Sequence, residues 1–515
     1  MENSDKWDRT GPGQSRPCKE TRDSSTQTDS KIQGHGPRLS KVNLFTLLSL
    51  WMELFPQENH EEDDNSQFQI RAVGLVVVQE GKVVGLHCSG AELHAGQTAI
   101  IQHGVRLADC QLYFSRRPCA TCLKMIINAG VRQISFWPGA PEISMLKPTL
   151  TNHPNSISHS PPHAITKEAA LDAIATEQLK SNSRPHIFVQ LQPLAPGLGQ
   201  FVYETSRDCD FMEKMVYYDR LLNREELFNS ERGRHLKDFS SQFLVGTCQQ
   251  HKDILTHMGL ENFCAEPYFS NLRHNMRELV EVLAAVAAGV PQRNCGFYRE
   301  QLATSLPPHD EEVSQEVARH CVIQARLLAY RTEDPKVGVG AVIWAKGKLA
   351  GCSGTGCLHL VGCGFNAYPA GSKYAEYPQM DSKQKDRQRR KYRYIVHAEQ
   401  NALTFRMRDI KPEEATMLFV TKCPCDECVP LIRGAGITHI YTSDLDRDKD
   451  KGDISYLRFS SLKDISKFIW QMSPPASSVP SPPIANGCIG KRSRQSEQES
   501  YRNKKPCSDS PSVSC

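Results

Sequence analysis

Three residues in the last third of the chain could hold a metal ion, and a fourth could move protons beside it. His397 precedes Glu399 by two residues, and Pro424 opens a P-C-x-x-C segment that contains Cys425 and Cys428. One imidazole and two thiolates bind Zn²⁺ through three protein ligands and leave the fourth tetrahedral position for water. A carboxylate two residues from the histidine is suited to exchange protons with that water. The pattern indicates a catalytic zinc site.

A structural zinc site is the alternative for the same residues. It would need a fourth protein ligand, and the obvious candidate is Cys423, two residues before Cys425. A chain cannot readily turn two sulfurs at this spacing onto one metal, so we expect Cys423 to be a buried thiol at a strand end. A C-x-x-C pair alone would also fit a redox function. The glutamate and the proline together favour catalysis.

The metal ligands occur twice in the chain. His94, Cys119 and Cys122 repeat the pattern, with 25 residues (119 − 94) from histidine to first cysteine against 28 (425 − 397) in the later copy. Gly96 takes the place of the carboxylate, so we expect the first copy to bind a second zinc without catalysing a reaction. Glu92 could replace it only by reaching around to the opposite side of the metal. The repeated pattern therefore predicts two related units in one chain.

Composition places the chain among multidomain soluble proteins. The 515 residues exceed what one core holds, and no apolar run approaches the ~20 residues that span a bilayer. The first residues are polar and lack the apolar core of a secretory signal. The 19 cysteines are therefore expected to be thiols or metal ligands, in the cytoplasm and nucleus. A net charge of +4 does not by itself argue for a nucleic-acid partner.

Alternating helix and strand patterns predict an α/β fold with two three-layer α/β/α units. The expected segments are a disordered N-terminus (1–38), a degenerate unit (39–143), a linker or insertion (144–185), a strand plus helical middle region (186–310), a catalytic unit (311–472) and a disordered basic tail (473–515). The middle region carries no motif to which chemistry can be attached.

Two segments resemble signals for transport receptors. Residues 39–55 predict the first helix of the degenerate unit, yet Leu44, Leu48 and Leu50 also match the spacing of a nuclear export signal. Basic clusters at 491–494 and 502–505 match a bipartite import signal, with solvated disorder as the alternative. Import and export receptors are therefore candidate partners, and no membrane partner is expected.

Five segments of the second unit carry a family resemblance. They are 331–335 (RTEDP), 338–343 (GVGAVI), 364–366 (GFN), 394–402 (YIVHAEQNA) and 424–436. In order and spacing they resemble the zinc-dependent cytidine and deoxycytidylate (dCMP) deaminases, whose signature is H-x-E…P-C-x-x-C. The resemblance implies a mixed sheet of about five strands per unit, Zn²⁺ as cofactor, homo-oligomerisation and a cytosine nucleotide substrate. It makes Asn366, Arg331 and Ala398 candidates for substrate contacts.

The resemblance implies hydrolytic deamination, with Glu399 passing protons from water to N3 and then to the departing amino group. Arg389, Arg390 and Lys391 lie just before the histidine and would suit a phosphate, although a charge run is also typical of a solvated face. A deoxycytidine nucleotide is the expected substrate, with dCMP and dCTP both open. The alternatives are a nucleoside deaminase, a polynucleotide-editing deaminase, which the 8% aromatic content does not favour, and a non-catalytic scaffold.

Overall fold

The computed structural model describes residues 37–57, 71–143, 167–218, 223–300, 312–332, 338–347, 354–369, 394–443 and 457–473. The termini expected to be disordered lie outside these ranges except for residues 37, 38 and 473. The basic residues 389–391, which precede His397, and the two basic clusters of the tail also lie outside the described ranges.

The first unit begins with a helix that is buried along nearly its whole length. Its elements are α1 (Lys41–Glu53), β1 (Gly74–Gln79), β2 (Lys82–Cys88), α2 (Ala95–His103), β3 (Gln111–Phe114), α3 (Ala120–Asn128), β4 (Gln133–Phe136), α4 (Lys167–Ser181) and β5 (His186–Phe188). Within the described residues they build a five-stranded mixed sheet of order β2-β1-β3-β4-β5. Leu44, Leu48 and Leu50 of α1 are buried, so they occupy the core position that the sequence favoured.

Beyond β5, the middle region supplies five α-helices and one strand among the described residues. They are α5 (Leu198–Arg207), α6 (Asp210–Tyr218), α7 (Arg224–Phe243), α8 (Cys248–His257), α9 (Tyr268–Ala288) and β6 (Cys295–Arg299). Helix α9 is apolar over its last turns, where every residue from 282 to 288 is buried. It contacts α1, α5 and α7. The middle region therefore packs onto the first unit as part of one core.

The second unit repeats the order of the first from its opening helix to its fourth strand. Its elements are α10 (Gln315–Ala329), β7 (Gly340–Lys346), β8 (Leu358–Phe365), α11 (Ala398–Thr404), β9 (Ala415–Val420), α12 (Val429–Gly434), β10 (His439–Thr442) and β11 (Ser466–Met472). Within the described residues the sheet order is β6-β11-β10-β9-β7-β8. Successive strand residues point to opposite faces, so Val342 and Trp344 join the core beneath α10 while Ala341 and Ile343 face α11 and α12. This produces the three expected layers.

The two units contact each other through equivalent elements. Helix α1 lies against α10, and β2 lies beside β8. Trp51 Nε1 donates to the His320 carbonyl oxygen at 3.0 Å, and the two rings stack with centroids 4.5 Å apart. Contact between like surfaces is the arrangement that a symmetric dimer would use. Here it joins two halves of one chain.

The structure differs from the sequence-based expectation in three elements. Helix α4 lies in residues 144–185, where a linker or insertion was predicted, and β5, the strand expected in the middle region, belongs to the first sheet instead. Strand β6 lies in a region read as helical and pairs antiparallel with β11, giving the second sheet six strands rather than five. The apolar positions of α4 are largely alanines, whose small side chains give little periodic signal. No helix of the described ranges is long and apolar enough to cross a membrane.

Candidate active site and its degenerate copy

The second unit brings its predicted ligands together at the start of two helices. His397 is the N-cap of α11, and Cys428 is the N-cap of α12. His397 Nδ1 lies 3.2 Å from Cys428 Sγ and 3.4 Å from Cys425 Sγ, and the two sulfurs are 3.9 Å apart. Both cysteines are buried, so the group is shielded from bulk water on the thiol side.

These distances fit a tetrahedral zinc site. Ligands at the usual Zn–N and Zn–S lengths lie about 3.5–3.8 Å from one another, near the separations observed. Among the described residues the cluster contains three ligands and no fourth. Thiolate and imidazole donors are the set that Zn²⁺ prefers. The residues present therefore fit the metal.

Local hydrogen bonds fix the start of α11. The Gln400 side-chain oxygen accepts from the His397 backbone N–H at 2.8 Å, and Asn366 Oδ1 accepts from the Ala398 N–H at 3.1 Å. Gln400 Nε2 also donates to the Glu427 carboxylate at 3.1 Å, which ties the helix to the cysteine loop. The orientation of His397 thus depends on polar groups from three chain segments.

The cysteine loop is closed by its own backbone and by a buried aspartate. The N–H groups of Cys428 and Val429 donate to the Cys425 carbonyl at 2.9 and 3.0 Å, which turns the two sulfurs to one side. Asp426 is 0% exposed and pairs with Arg458 at 3.3 Å. Sequence reasoning missed this pair, because the arginine lies 32 residues further along the chain.

Glu399 lies in the first turn of α11 and is 4% exposed. A carboxylate near a helix N-terminus is stabilised by the helix dipole. Strand β8 can approach this helix closely because residue 364 is glycine: a Cβ there would come within 2.1 Å of the Ala398 carbonyl oxygen. The packing therefore holds β8 directly against the first turn of α11, which carries Glu399.

The other predicted residues are placed differently. Cys423 is buried after β9 and stands outside the ligand cluster, with its Sγ 3.7 Å from the Pro424 carbonyl oxygen. Asn366 and Ala398 meet at the start of α11. Arg331 is 4% exposed and donates from Nη1 to the Leu39 carbonyl of the first unit at 3.1 Å. Arg389, Arg390 and Lys391 lie outside the described residues.

The first unit repeats the geometry around His94, with one addition. His94 is the N-cap of α2, and Cys119 is the N-cap of α3. Cys119 Sγ lies 3.6 Å from His94 Nδ1, and Cys122 belongs to the same cluster. The addition is Glu142, whose Oε1 lies 2.8 Å from His94 Nδ1. Acceptance of hydrogen bonds from the His94 ring by Cys119 and Glu142 raises the pKa of His94 to about 10 in the absence of a metal.

Neither Gly96 nor Glu92 gives this site a base. A Cβ at Gly96 would lie 3.0 Å from Cys122 Cβ and 3.2 Å from its sulfur, so that position is already filled. Glu92 is exposed. Glu142 itself escaped the sequence analysis, because it follows Cys122 by 20 residues in a Pro- and Gly-containing segment without a recognisable motif.

Comparison with known proteins identifies the family. The sequence profile of the cytidine and deoxycytidylate deaminase zinc-binding region matches residues 49–137 and 314–443. The chain belongs to this deaminase family and carries its zinc-binding region twice, with Zn²⁺ as the cofactor.

Individual relatives are similar over different lengths. The chain is 57% identical to the cytidine and dCMP deaminase domain-containing protein 1 of Danio rerio, over 88% of this chain and 94% of that protein. It is 32% identical to the deoxycytidylate deaminase of Homo sapiens, over 26% of this chain and 70% of that one. A solved dCMP deaminase from the cyanophage S-TIM5, in complex with dCMP and dUMP, is 22% identical over 27% of this chain and 89% of that chain, with a TM-score of 0.20.

Proposed function

We propose that the chain is a hydrolytic deaminase that converts a deoxycytidine nucleotide, dCMP or dCTP, to the deoxyuridine nucleotide and ammonia. The observation that carries the proposal is that His397, Cys425 and Cys428 come together as candidate zinc ligands, while Glu399, two residues after His397 in the first turn of α11, is buried. The first unit lacks this carboxylate. Catalysis is therefore assigned to the second unit alone.

The residues of the second unit divide the chemistry between them. His397, Cys425 and Cys428 hold the metal, which when bound supplies Lewis-acid activation of water at neutral pH. Glu399 accepts a proton from the attacking water and delivers it to N3 of the base. The water oxygen bonds to C4, the bond from C4 to the exocyclic nitrogen breaks, and Glu399 returns the second water proton to the departing amine.

Support for a deoxycytidine nucleotide comes from relatives and from charge. Deoxycytidylate deaminases are similar to this chain over about 70% of their own length. Arg389, Arg390 and Lys391 precede the zinc-binding histidine by only a few residues, and cations beside an active site suit a phosphate. These residues support a nucleotide over a nucleoside and leave the number of phosphates open.

A substrate panel tests the proposal. Purified full-length protein would be offered dCMP, dCTP, deoxycytidine and a cytosine-containing oligonucleotide at equal concentration, and uracil products would be quantified by chromatography. We expect kcat/KM for one of the two nucleotides to exceed that for deoxycytidine at least ~10-fold, since only the nucleotides carry the charge. Preferential turnover of deoxycytidine or of the oligonucleotide would replace the proposal by the corresponding alternative.

Assembly and location are further parts of the proposal. We propose a homo-oligomer in the cytoplasm and nucleus, as the family resemblance and the tail composition support. Light scattering of the purified protein measures its mass. Imaging of tagged protein with and without the clusters at 491–494 and 502–505 tests nuclear import.

A further inference from the structure

The carboxylate of Glu142 occupies the metal-binding face of the first unit. Glu142 as a whole residue is 4% exposed, and both of its carboxylate oxygens contact metal-binding residues. Oε1 lies 2.8 Å from His94 Nδ1, and Oε2 accepts the backbone N–H of Cys119 at 2.7 Å. The candidate ligand atoms of His94, Cys119, Cys122 and Glu142 all lie within 4.8 Å of one another. One imidazole, two thiols and one carboxylate are thus close enough to bind a single metal ion.

We propose that Glu142 is the fourth zinc ligand of the first unit, and that this site is closed and structural. A tetrahedral zinc bound by four protein groups has no position left for water. The first unit then lacks both requirements of catalysis, the base at residue 96 and the open coordination position. In the second unit the corresponding cluster of described residues has three ligands.

The nitrogen that Glu142 contacts distinguishes a ligand from a supporting hydrogen-bond partner. A carboxylate that merely orients a metal-bound histidine contacts the ring nitrogen that does not bind the metal. Glu142 contacts Nδ1, the same nitrogen that faces the Cys119 sulfur at 3.6 Å. Both acceptors therefore converge on the ligand atom of His94, as ligands of one ion would.

Burial supports the same conclusion. The side chain of Glu142 is 2% exposed, and a buried carboxylate is costly unless a cation or several donors compensate it. A divalent ion among the thiols and the imidazole supplies that compensation. The additional negative charge also weakens the ion as a Lewis acid, which suits a structural role.

The closed site would join three elements of the first unit. His94 begins α2, Cys119 begins α3, and Glu142 follows β4, where its N–H also donates to the Arg117 carbonyl at 3.0 Å. The neighbouring Arg116 pairs with Glu53 of α1, the helix that packs on the second unit. Loss of this ion should therefore destabilise the whole chain.

Metal release tests the proposal without reference to activity. Full-length wild type should contain two zinc ions per chain, one per ligand cluster. Glu142→Gln keeps the size of the side chain and an oxygen for the Cys119 N–H but loses the anionic ligand. We expect a chelator to remove one of its two zinc ions more than ~10-fold faster than from wild type, with a lower unfolding temperature. Glu92→Gln, which changes an exposed glutamate nearby, should behave as wild type.

A second measurement decides the matter even if Glu142→Gln does not fold. Full-length Cys425→Ser protein, loaded with Co²⁺, reports mainly on the first site through its visible spectrum. A closed site should show a four-coordinate spectrum that azide leaves unchanged, because no exchangeable position exists. An azide-sensitive spectrum, wild-type release kinetics in Glu142→Gln, or a single zinc ion in wild type would each overturn the proposal.

Discussion

At the scale of single residues, the two units differ where their helices begin. Both α2 and α11 start at a histidine whose N–H is accepted by a glutamine side chain three residues on, at 2.9 and 2.8 Å. Two residues separate the histidine from the glutamine: an alanine in both units, then Gly96 in one and Glu399 in the other. The same local structure therefore positions a metal ligand in both units, and one residue determines whether a base accompanies it.

Substitution of the zinc ligand Cys425 should remove the metal site of the second unit, while substitution of the nearby Cys423 should not. We expect Cys425→Ser to lose one zinc ion per chain and all deamination, because a serine hydroxyl is a far poorer zinc ligand than a thiolate. Cys423→Ser is the matched control, since Cys423 is equally buried and lies outside the cluster. The zinc content per chain of both purified variants, measured by metal analysis, tests this prediction. Equal zinc loss in both would show that Cys423 belongs to the site.

The basic residues before His397 should act on nucleotides selectively. Neutralising Arg389, Arg390 and Lys391 together is expected to raise KM for dCMP or dCTP at least ~10-fold more than for deoxycytidine, because only the nucleotides carry phosphate. The control variant neutralises Lys491, Arg492 and Arg494 in the tail, which removes the same number of positive charges away from His397. Steady-state kinetics on both substrates measure the difference. Equal effects on nucleotide and nucleoside would identify the run as a solvated or structural segment.

At the scale of elements, the contact between α1 and α10 couples the two units. Trp51 is 4% exposed and contacts His320 by both its ring and its N–H. We expect Trp51→Ala to lower the free energy of unfolding by about 3–5 kcal/mol, as for other large buried side chains. Val105→Ala, at a position 88% exposed, should change it little. Denaturant unfolding measures both, and a loss under about 1 kcal/mol in Trp51→Ala would contradict the coupling.

The buried histidines His87 and His320 and the half-buried His103 predict a dependence of stability on pH. Burial lowers the pKa of His103 to about 4 and holds the pKa values of His87 and His320 well below the usual 6.5. At a pH between these lowered pKa values and the ordinary value of 6.5, the unfolded chain binds more protons than the folded one. Stability should therefore be complete above about pH 6.5 and fall as pH drops, by up to about 1.4 kcal/mol per unit for each histidine.

Unfolding free energies at pH 7 and pH 5 check this expectation. His103→Gln should reduce the difference, because it removes one of the titrating groups and the partner of His87, whose Nε2 lies 2.9 Å away. Equal stability at the two pH values would contradict the assignment of neutral, buried imidazoles.

At the scale of the whole molecule, the zinc ligands and the two α/β units could be predicted from sequence. Contacts between residues far apart in the chain could not. The ligand spacing and the alternating patterns indicated both zinc sites and both α/β units. Strand β6 is short and forms only by pairing with β11, far along the chain. Glu142 and the pairing of Asp426 with Arg458 likewise depend on contacts that tertiary folding creates. Sequence periodicity carries no signal for such contacts.

Whole-molecule architecture also explains why a degenerate unit would persist. The buried side chains of the first unit, the middle helices and one face of the second sheet form a single core. The first unit is thus part of the support for α10 and β7, which lie beneath the active site. Nuclear and cytoplasmic location, by contrast, stays a prediction from sequence.

The most direct measurement of the central claim is the turnover of full-length Glu399→Gln beside its zinc content. We expect deamination of the preferred deoxycytidine nucleotide to fall about 10²–10⁴-fold or more while the zinc content remains that of wild type, because the glutamine preserves the fold but cannot accept a proton. Glu413→Gln, at an exposed position, serves as the control and should retain full activity. Wild-type turnover in a folded, zinc-loaded Glu399→Gln protein would contradict the account.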